Sequence, residues 1–342
     1  MGDVILTTPV LAVLRRVFPD AHLTYLTEKP FTPLLEHHPH IDRVISLDYT
    51  RSAGESMFQW WLRQFRLFKR LRQEHFDLVI DLFGNPRSAL LTWATGAPYR
   101  VGGDFRGRGR LYSIRVPQDR QQVDAIEFHF KSLRILGIHP EEWLSADQLK
   151  KTKIYVTADE TRWAKSYLAA LGLDENHPIA ILHPGATWPN KRWPVEKFAA
   201  LAGKLAEAGY RTLLSVGPGE EDRARRVARL AARPVVVGRV LPLRHLAAVI
   251  QQANLLISND CGVMHLGAAV GTMTIGIFGP GEPEIWFPYA QPHRAFWSDI
   301  DCRPCHQNEC PLGTLECMHR IHPEHIMEYI TKHLPVPGMA GK

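Results

Sequence analysis

Short apolar runs rich in β-branched residues alternate with longer stretches of helical period along most of the chain. The runs lie at residues 23–26, 43–47, 78–82, 179–182, 212–216, 235–237, 255–258 and 274–278. Continuous apolar strands of this kind suit a parallel sheet covered on both faces, since neither face alternates to polar. Between them, apolar positions recur every three or four residues in 9–17, 57–72, 158–171, 195–208, 220–232 and 243–253, the spacing that puts one face of a helix against a core. Strand and helix in alternation predict α/β architecture with right-handed crossovers.

The alternation begins twice. One series fills residues 1 to about 140, and a second restarts at Ile179 after the helical stretch 158–171 and the loop 172–178. Two Rossmann-like domains are therefore expected, 1–165 and 166–342, with the join near 155–178 and a closing helix at Pro323–His333. The first half opens on Gly2-Asp3-Val4, followed by Pro9 and an amphipathic run. That order reads as a strand-to-helix loop and its helix, with the strand itself absent. Asp3 then falls at the carboxyl edge of a strand position, where α/β folds form ligand sites.

A length of 342 residues agrees with two domains. With 45% hydrophobic and 22% charged residues the chain has the balance of a globular protein, which excludes disorder. The net charge of +6 favours anionic partners. The longest apolar stretch, 266–278, is too short to span a bilayer and is broken by glycine. The opening residues do not read as a secretory signal, so none is expected. Four of the five cysteines crowd into 302–317, a poor spread for a secreted disulfide framework. A cytoplasmic enzyme is expected.

The loops that follow strands in the second half carry the richest chemistry. His183-Pro184-Gly185-Ala186-Thr187-Trp188-Pro189-Asn190-Lys191-Arg192-Trp193-Pro194 joins a glycine, the Thr187 hydroxyl and the charges of Lys191 and Arg192 to a helix expected to begin at Pro194. A phosphate there would meet free helix amides and an ammonium together; a solvated surface loop is the plainer alternative. The next strand ends in Gly217-Pro218-Gly219-Glu220. A carboxylate at that place can hold both ribose hydroxyls or simply complement the following helix dipole. Asp222 stands where a dinucleotide fingerprint needs its third glycine, and no Walker lysine motif is present. In Asn259-Asp260-Cys261-Gly262-Val263-Met264-His265, Asn259 or Asp260 can cap the next helix. An acid beside free helix amides can also hold sugar hydroxyls and a diphosphate side by side. Phe278-Gly279-Pro280-Gly281 is a further loop on the same edge.

Cys302, Cys305, Cys310 and Cys317 have the density of a structural zinc site but match no standard pair of knuckles, so zinc, disulfides and free thiols all stay open. Asp299-Ile300-Asp301 resembles an acidic metal-holding pair, a pattern short enough to arise by chance. Two basic regions mark the first half. One is Arg100, Arg106, Arg108, Arg110 and Arg115 among glycines; in the other, Trp60, Trp61, Phe65 and Phe68 interleave with Arg63, Arg66, Lys69, Arg70 and Arg72. The second is expected to be a surface helix with its aromatics buried in the domain, the alternative being contact with an anionic membrane. No nucleic-acid motif is present, and no nucleic acid is expected as a partner.

Taken in order, Gly2-Asp3-Val4 with Thr7-Thr8-Pro9, His183-Pro184-Gly185 through Lys191-Arg192-Trp193-Pro194, Asn259 through Ala269, and Phe278-Gly279-Pro280 with Trp286 and Pro288-Tyr289 resemble the family 9 glycosyltransferases, the lipopolysaccharide heptosyltransferase family. The resemblance covers nearly the whole chain. It implies a GT-B fold, two Rossmann-like domains facing a cleft, with the acceptor on the amino-terminal domain and the nucleotide-sugar on the carboxy-terminal one. It implies an inverting, metal-independent transferase that uses an ADP-heptose donor and a phosphorylated lipid-core acceptor at the cytoplasmic face of the inner membrane. The family's catalytic aspartate falls on Asp3 and its phosphate-binding threonine and lysine on Thr187 and Lys191. Its acidic nucleoside contact falls on Glu220. Its helix start for sugar and diphosphate falls on Asp260, Cys261 and Gly262, followed by His265. Arg100, Arg106, Arg108 and Arg110 would meet acceptor phosphates. Two other readings remain at this level: a GT-B epimerase or a transferase of another nucleotide-sugar, and a catalytically degenerate protein that binds glycolipid or nucleotide-sugar.

Overall fold

The computed structural model describes residues 1–48, 54–117, 124–173, 176–288, 292–305 and 308–334. Its strands are β1 (Thr24–Glu28), β2 (Arg43–Leu47), β3 (Leu78–Ile80), β4 (Tyr99–Gly103), β5 (Ile114–Val116), β6 (Ile179–His183), β7 (Arg211–Val216), β8 (Val236–Val240), β9 (Leu255–Asn259), β10 (Met273–Ile277) and β11 (Arg294–Phe296). Every pairing among them is parallel.

In the second half the order is β11-β10-β9-β6-β7-β8. The chain runs outward from β6 through β7 to β8, then returns to lay β9 on the other side of β6. The order reverses between β6 and β9, and their carboxyl ends open the crevice where doubly wound sheets bind ligands. All residues of β6, β9 and β10 are buried, as the unbroken apolar runs predict. Ala180 and Leu182 pack on one face, with Phe198, Val227 and Ile326 from helices Val195–Glu207, Glu221–Leu230 and Pro323–His333. Ile179 and Ile181 pack on the other, with Leu168, Val249 and Leu266 from helices Ala158–Ala170, Leu243–Gln251 and Gly262–Ala269.

The first half departs from the expectation in two ways. Its strands form two separate sheets, β1-β2 and β3-β4-β5, and among the described residues none pairs with β1 or β3 on the side away from these partners. Residues Gly2–Leu6, expected as a loop, form a short helix that runs into helix Thr8–Val17. The reason is burial: Ile5 and Leu6 are neighbours in sequence, and winding the segment into a helix turns them about 100° apart, Ile5 into the second half's core and Leu6 into the first's.

β4, β5 and β11 were not anticipated. None is a long apolar run, and β4 ends in Gly102-Gly103. Those glycines are required because the Tyr112 and Phe105 rings lie close against the strand there, where any side chain would collide with them.

Helix Ala158–Ala170 includes residue 165, so the expected domain boundary falls inside it, and the helix packs against Leu243–Gln251. Arg244 on that partner helix is buried. It pairs with Glu160, its Nε 2.6 Å from Oε1, and donates to the carbonyls of Tyr155 at 2.8 Å and Glu36 at 3.1 Å. One guanidinium thus joins the connecting segment to both halves.

Candidate active site

The site lies at the carboxyl ends of β6, β7, β9 and β10, and its order starts with Asn259, the last residue of β9. The Asn259 amide nitrogen donates to the carbonyls of Pro184 (2.9 Å) and Gly185 (3.0 Å), and its oxygen accepts from the Trp193 amide at 3.0 Å. Both ends of the loop after β6 are thereby tied across the β6–β9 crevice. Arg223 adds a donor to Pro184 at 2.7 Å and Arg192 one to Ala186 at 2.7 Å. Trp193 is fully buried and closes the loop. Helix Val195–Glu207 starts one residue later than expected, with Pro194 as its N-cap.

This scaffold presents Lys191 from the turn Pro189–Lys191. Its Nζ lies 2.6 Å from Asp260 Oδ2 and 5.1 Å from the centre of the Trp188 ring. Asp260 is buried, and a side chain at Gly281 would collide with it, so the loop after β10 must carry glycine there. Thr187 is exposed on the same loop. The expectation that Asn259 or Asp260 caps the next helix is corrected: the N-cap is Cys261, with no side-chain cap bond, because Asn259 is engaged by the β6 loop and Asp260 by Lys191. No side-chain cap bond closes the start of Gly262–Ala269, and an uncapped helix start is the condition for holding an anion. Met1 lies against Gly262, where a Cβ would come 3.0 Å from the Met1 Cβ.

Glu220 accepts from the Gly217 amide at 3.0 Å and fills the space a side chain at Gly185 would need. It is the N-cap of Glu221–Leu230 but makes no cap bond, so its carboxylate faces the crevice loops and not its own helix. His183 sits 3.6 Å from Glu220 and bonds Ser215 at 2.9 Å. Burial alone would lower the His183 pKa, but Cys261, Glu220 and Ser215 together hold it above the ordinary imidazole value. Burial would raise the Cys261 thiol, yet His183, Ser258 and the Val263 amide bring it below the ordinary value.

Asp3 stands exposed on helix Gly2–Leu6, which packs against Gly262–Ala269. A Cβ on Gly2 would lie 2.8 Å from the His265 ring, so the two helices touch backbone to side chain at this point. His265 is pushed down to about 3, by burial first and then by the chain's amino group and Lys191. Its neighbours thus include both the start of the chain and the Lys191 ammonium. The Asp3 charge acts on Tyr25, pushed up to about 12 chiefly by burial, and on His129, pushed down to about 4 by burial. The structure therefore brings together Asp3, His265, Lys191, Asp260, Cys261 and Gly262, with Glu220 beside them across His183.

The arginines are spread differently. Arg100 donates to the Leu111 carbonyl at 3.1 Å and to the Ala97 carbonyl, holding the β4–β5 connection. Arg106 and Arg110 are exposed on that connection, and the Arg108 guanidinium lies 6.0 Å from the Phe105 ring centre.

Two residues were missed. Asp81 accepts from the amides of Phe83 (3.0 Å) and Gly84 (2.9 Å), from Ser88 (2.8 Å) and from Tyr112 (2.6 Å), shaping the loop after β3. An aspartate inside the apolar run 78–82 was the signal for it. His129 has a buried Nδ1 with no partner among the described residues, and nothing in its helical surroundings marks it in sequence. All five cysteines are free thiols, and among the described residues no three His, Cys, Asp or Glu side chains are gathered to hold a metal ion, which includes Asp299 and Asp301.

The chain is similar to lipopolysaccharide heptosyltransferase 3 of Escherichia coli, 28% identical over 87% of this chain and 86% of that one. It is equally close to lipopolysaccharide heptosyltransferase 1 of Pseudomonas aeruginosa, 28% identical over 92% of this chain and 86% of the relative. Among solved structures, a family 9 glycosyltransferase of Veillonella parvula superposes with a TM-score of 0.78 at 26% identity, covering 97% of this chain and 93% of that one. An E. coli heptosyltransferase solved with ADP-2-deoxy-2-fluoro heptose superposes at 0.71 with 25% identity, covering 97% and 96%. The fold is GT-B, as the resemblance implied. The profile of glycosyltransferase family 9 (heptosyltransferase) matches residues 64–316, and the chain belongs to that family.

Proposed function

We propose that this glycosyltransferase moves a heptose from ADP-heptose to a phosphorylated lipid-core acceptor, with inversion and without a metal ion. One observation carries the reading: the Lys191–Asp260 pair sits at an uncapped helix start in the β6–β9 crevice, with Asp3 presented on the helix packed against that start. The relatives that act on lipopolysaccharide support the acceptor class, and the one solved with an ADP-heptose analogue supports the donor. The second half holds the donor and the first half the acceptor, with Arg106, Arg108 and Arg110 on the acceptor's phosphates.

In this mechanism Asp3 takes the proton of an acceptor hydroxyl as that oxygen attacks the anomeric carbon from the face opposite the diphosphate, and one displacement inverts the centre. The departing diphosphate gains charge. Lys191, Thr187 and the amides of Cys261 and Gly262 bind it more tightly as that charge grows. Lys191 is held ready by Asp260; a diphosphate that draws it away frees the carboxylate to orient the sugar hydroxyls, beside His265. Glu220 accepts from the ribose. Met1 covers Gly262 with a flexible, unbranched side chain and yields to the diphosphate.

The test is transfer of heptose from ADP-heptose to a delipidated phosphorylated core, followed by mass spectrometry. Asp3→Asn should keep ADP-heptose affinity while turnover falls about 100-fold or more. Equal turnover removes Asp3 from the chemistry. Thermal stabilisation by ADP-, UDP-, GDP- and CMP-sugars alike would refute the donor assignment. A second reading, a binding protein without turnover, would be selected by donor-dependent stabilisation with no transfer product.

A further inference from the structure

Helix Met57–Gln73 presents an apolar face to solvent. Phe58 is 76% exposed, Phe65 67%, Trp61 60% and Met57 59%, against the expectation that the aromatics of this helix are buried. Trp60 and Phe68, by contrast, are half-buried against the domain, in the direction the sequence predicts. The exposure does not come from a loosely held helix. Ser56 and Gln59 close a capping box at its start. Leu71 is buried and Leu67 and Phe68 pack with Ile45, Leu47 and Leu91 on the inner side. Arg63 is tied to Glu55 at 3.0 Å and Arg43 to Glu74 at 2.7 Å. The helix is fixed by one face while the opposite face carries Phe58, Trp61 and Phe65.

Charge completes the pattern. From 57 to 73 there are Arg63, Arg66, Lys69, Arg70 and Arg72 and no acidic residue. Lys69 and Arg72 extend the Phe58–Trp61–Phe65 stripe at helical spacing, and both are exposed, as are Arg66 and Arg70. Arg66 and Lys69 take part in no ion pair among the described residues. Aromatic rings beside cations suit the boundary of an anionic bilayer, where the rings enter the headgroup layer and the cations stay on the phosphates. The same cations disfavour a second copy of the chain, since a two-fold contact through this face would bring the basic stripe near its own copy.

We infer that the outer face of helix Met57–Gln73, through Phe58, Trp61 and Phe65 with Arg66, Lys69 and Arg72, docks the protein on an anionic lipid bilayer. The inference stands on this helix alone and does not need the transfer reaction proposed above. Its test is flotation of the full chain with vesicles of phosphatidylcholine, with and without about one-third phosphatidylglycerol. The protein should float with the anionic vesicles and not with the neutral ones. The triple variant Phe58→Ser, Trp61→Ser, Phe65→Ser should lose about tenfold or more in partitioning with little change in melting temperature, since all three side chains are mostly in water and, among the described residues, only Trp61 rests on a neighbouring ring, that of Trp60. The pair Arg66→Glu, Lys69→Glu should lose the preference for anionic vesicles. Equal flotation of wild type and triple variant, or equal binding to neutral vesicles, overturns the inference. A wild-type dimer that the triple variant converts to monomer, with no flotation, overturns it in favour of a contact between copies. Transfer to the delipidated core is expected to be equal in wild type and triple variant, so a failed reaction and a failed docking face are read separately.

Discussion

Lys191 and Asp260 depend on each other before any ligand arrives. Asp260 is buried, and the lysine ammonium at 2.6 Å is its ion-pair partner. Lys191→Ala removes the cation from the crevice and leaves a buried carboxylate without its counter-charge. ADP affinity should drop about 10- to 100-fold by calorimetry, the loss of one charge-assisted contact. Lys191→Arg should recover part of it, because the charge is kept while the geometry changes. Unchanged ADP affinity in Lys191→Ala would take the lysine out of the phosphate site.

At the scale of elements, the connection between the halves is held through helix Ala158–Ala170 and Arg244. Arg244→Ala should destabilise the protein by about 3–5 kcal/mol in urea unfolding, since it strands Glu160 and the Tyr155 and Glu36 carbonyls at once. Glu160 also sets a pH dependence. Burial pushes its carboxyl up, but the Arg244 guanidinium and the hydrogen bonds from Thr157 outweigh it and hold the pKa at about 2. A depressed acid contributes stability that is complete above its unfolded pKa and lost as pH falls through the folded one. Wild type should therefore lose stability between about pH 4.5 and pH 2 by an amount that Glu160→Gln does not show. Parallel acid profiles for the two would refute this. The alternation of strand and helix was readable because apolar runs and helical periods are local properties. β4, β5 and β11 were not, because their place comes from neighbours that lie on them, as Tyr112 and Phe105 lie on β4.

For the whole molecule, the proposed reaction draws its positive charge from Lys191 and a helix start, both belonging to the chain. Transfer should then survive EDTA, with a melting curve recorded in parallel so that loss of folding is not mistaken for loss of chemistry. Loss of transfer at unchanged melting temperature, restored by a divalent ion, would refute the metal-free mechanism. The proposed site draws on both halves: the helix bearing Asp3 meets the helix that follows Asp260, and neither half alone contains the proposed set.

By itself the sequence determined the α/β class, the eight main strands and the loops that carry Thr187, Lys191, Glu220 and Asp260, because these follow from local periodicity and from polar residues placed at strand ends. It did not determine which side chain serves which partner. Asn259 tying the β6 loop, Asp260 taken by Lys191, Cys261 left as the N-cap, residues Gly2–Leu6 wound into a helix against His265, and Phe58, Trp61 and Phe65 of Met57–Gln73 turned outward were decided by tertiary structure alone. Each depends on what another part of the chain, distant in sequence, brings within hydrogen-bonding or packing distance, and no periodicity along the chain records that.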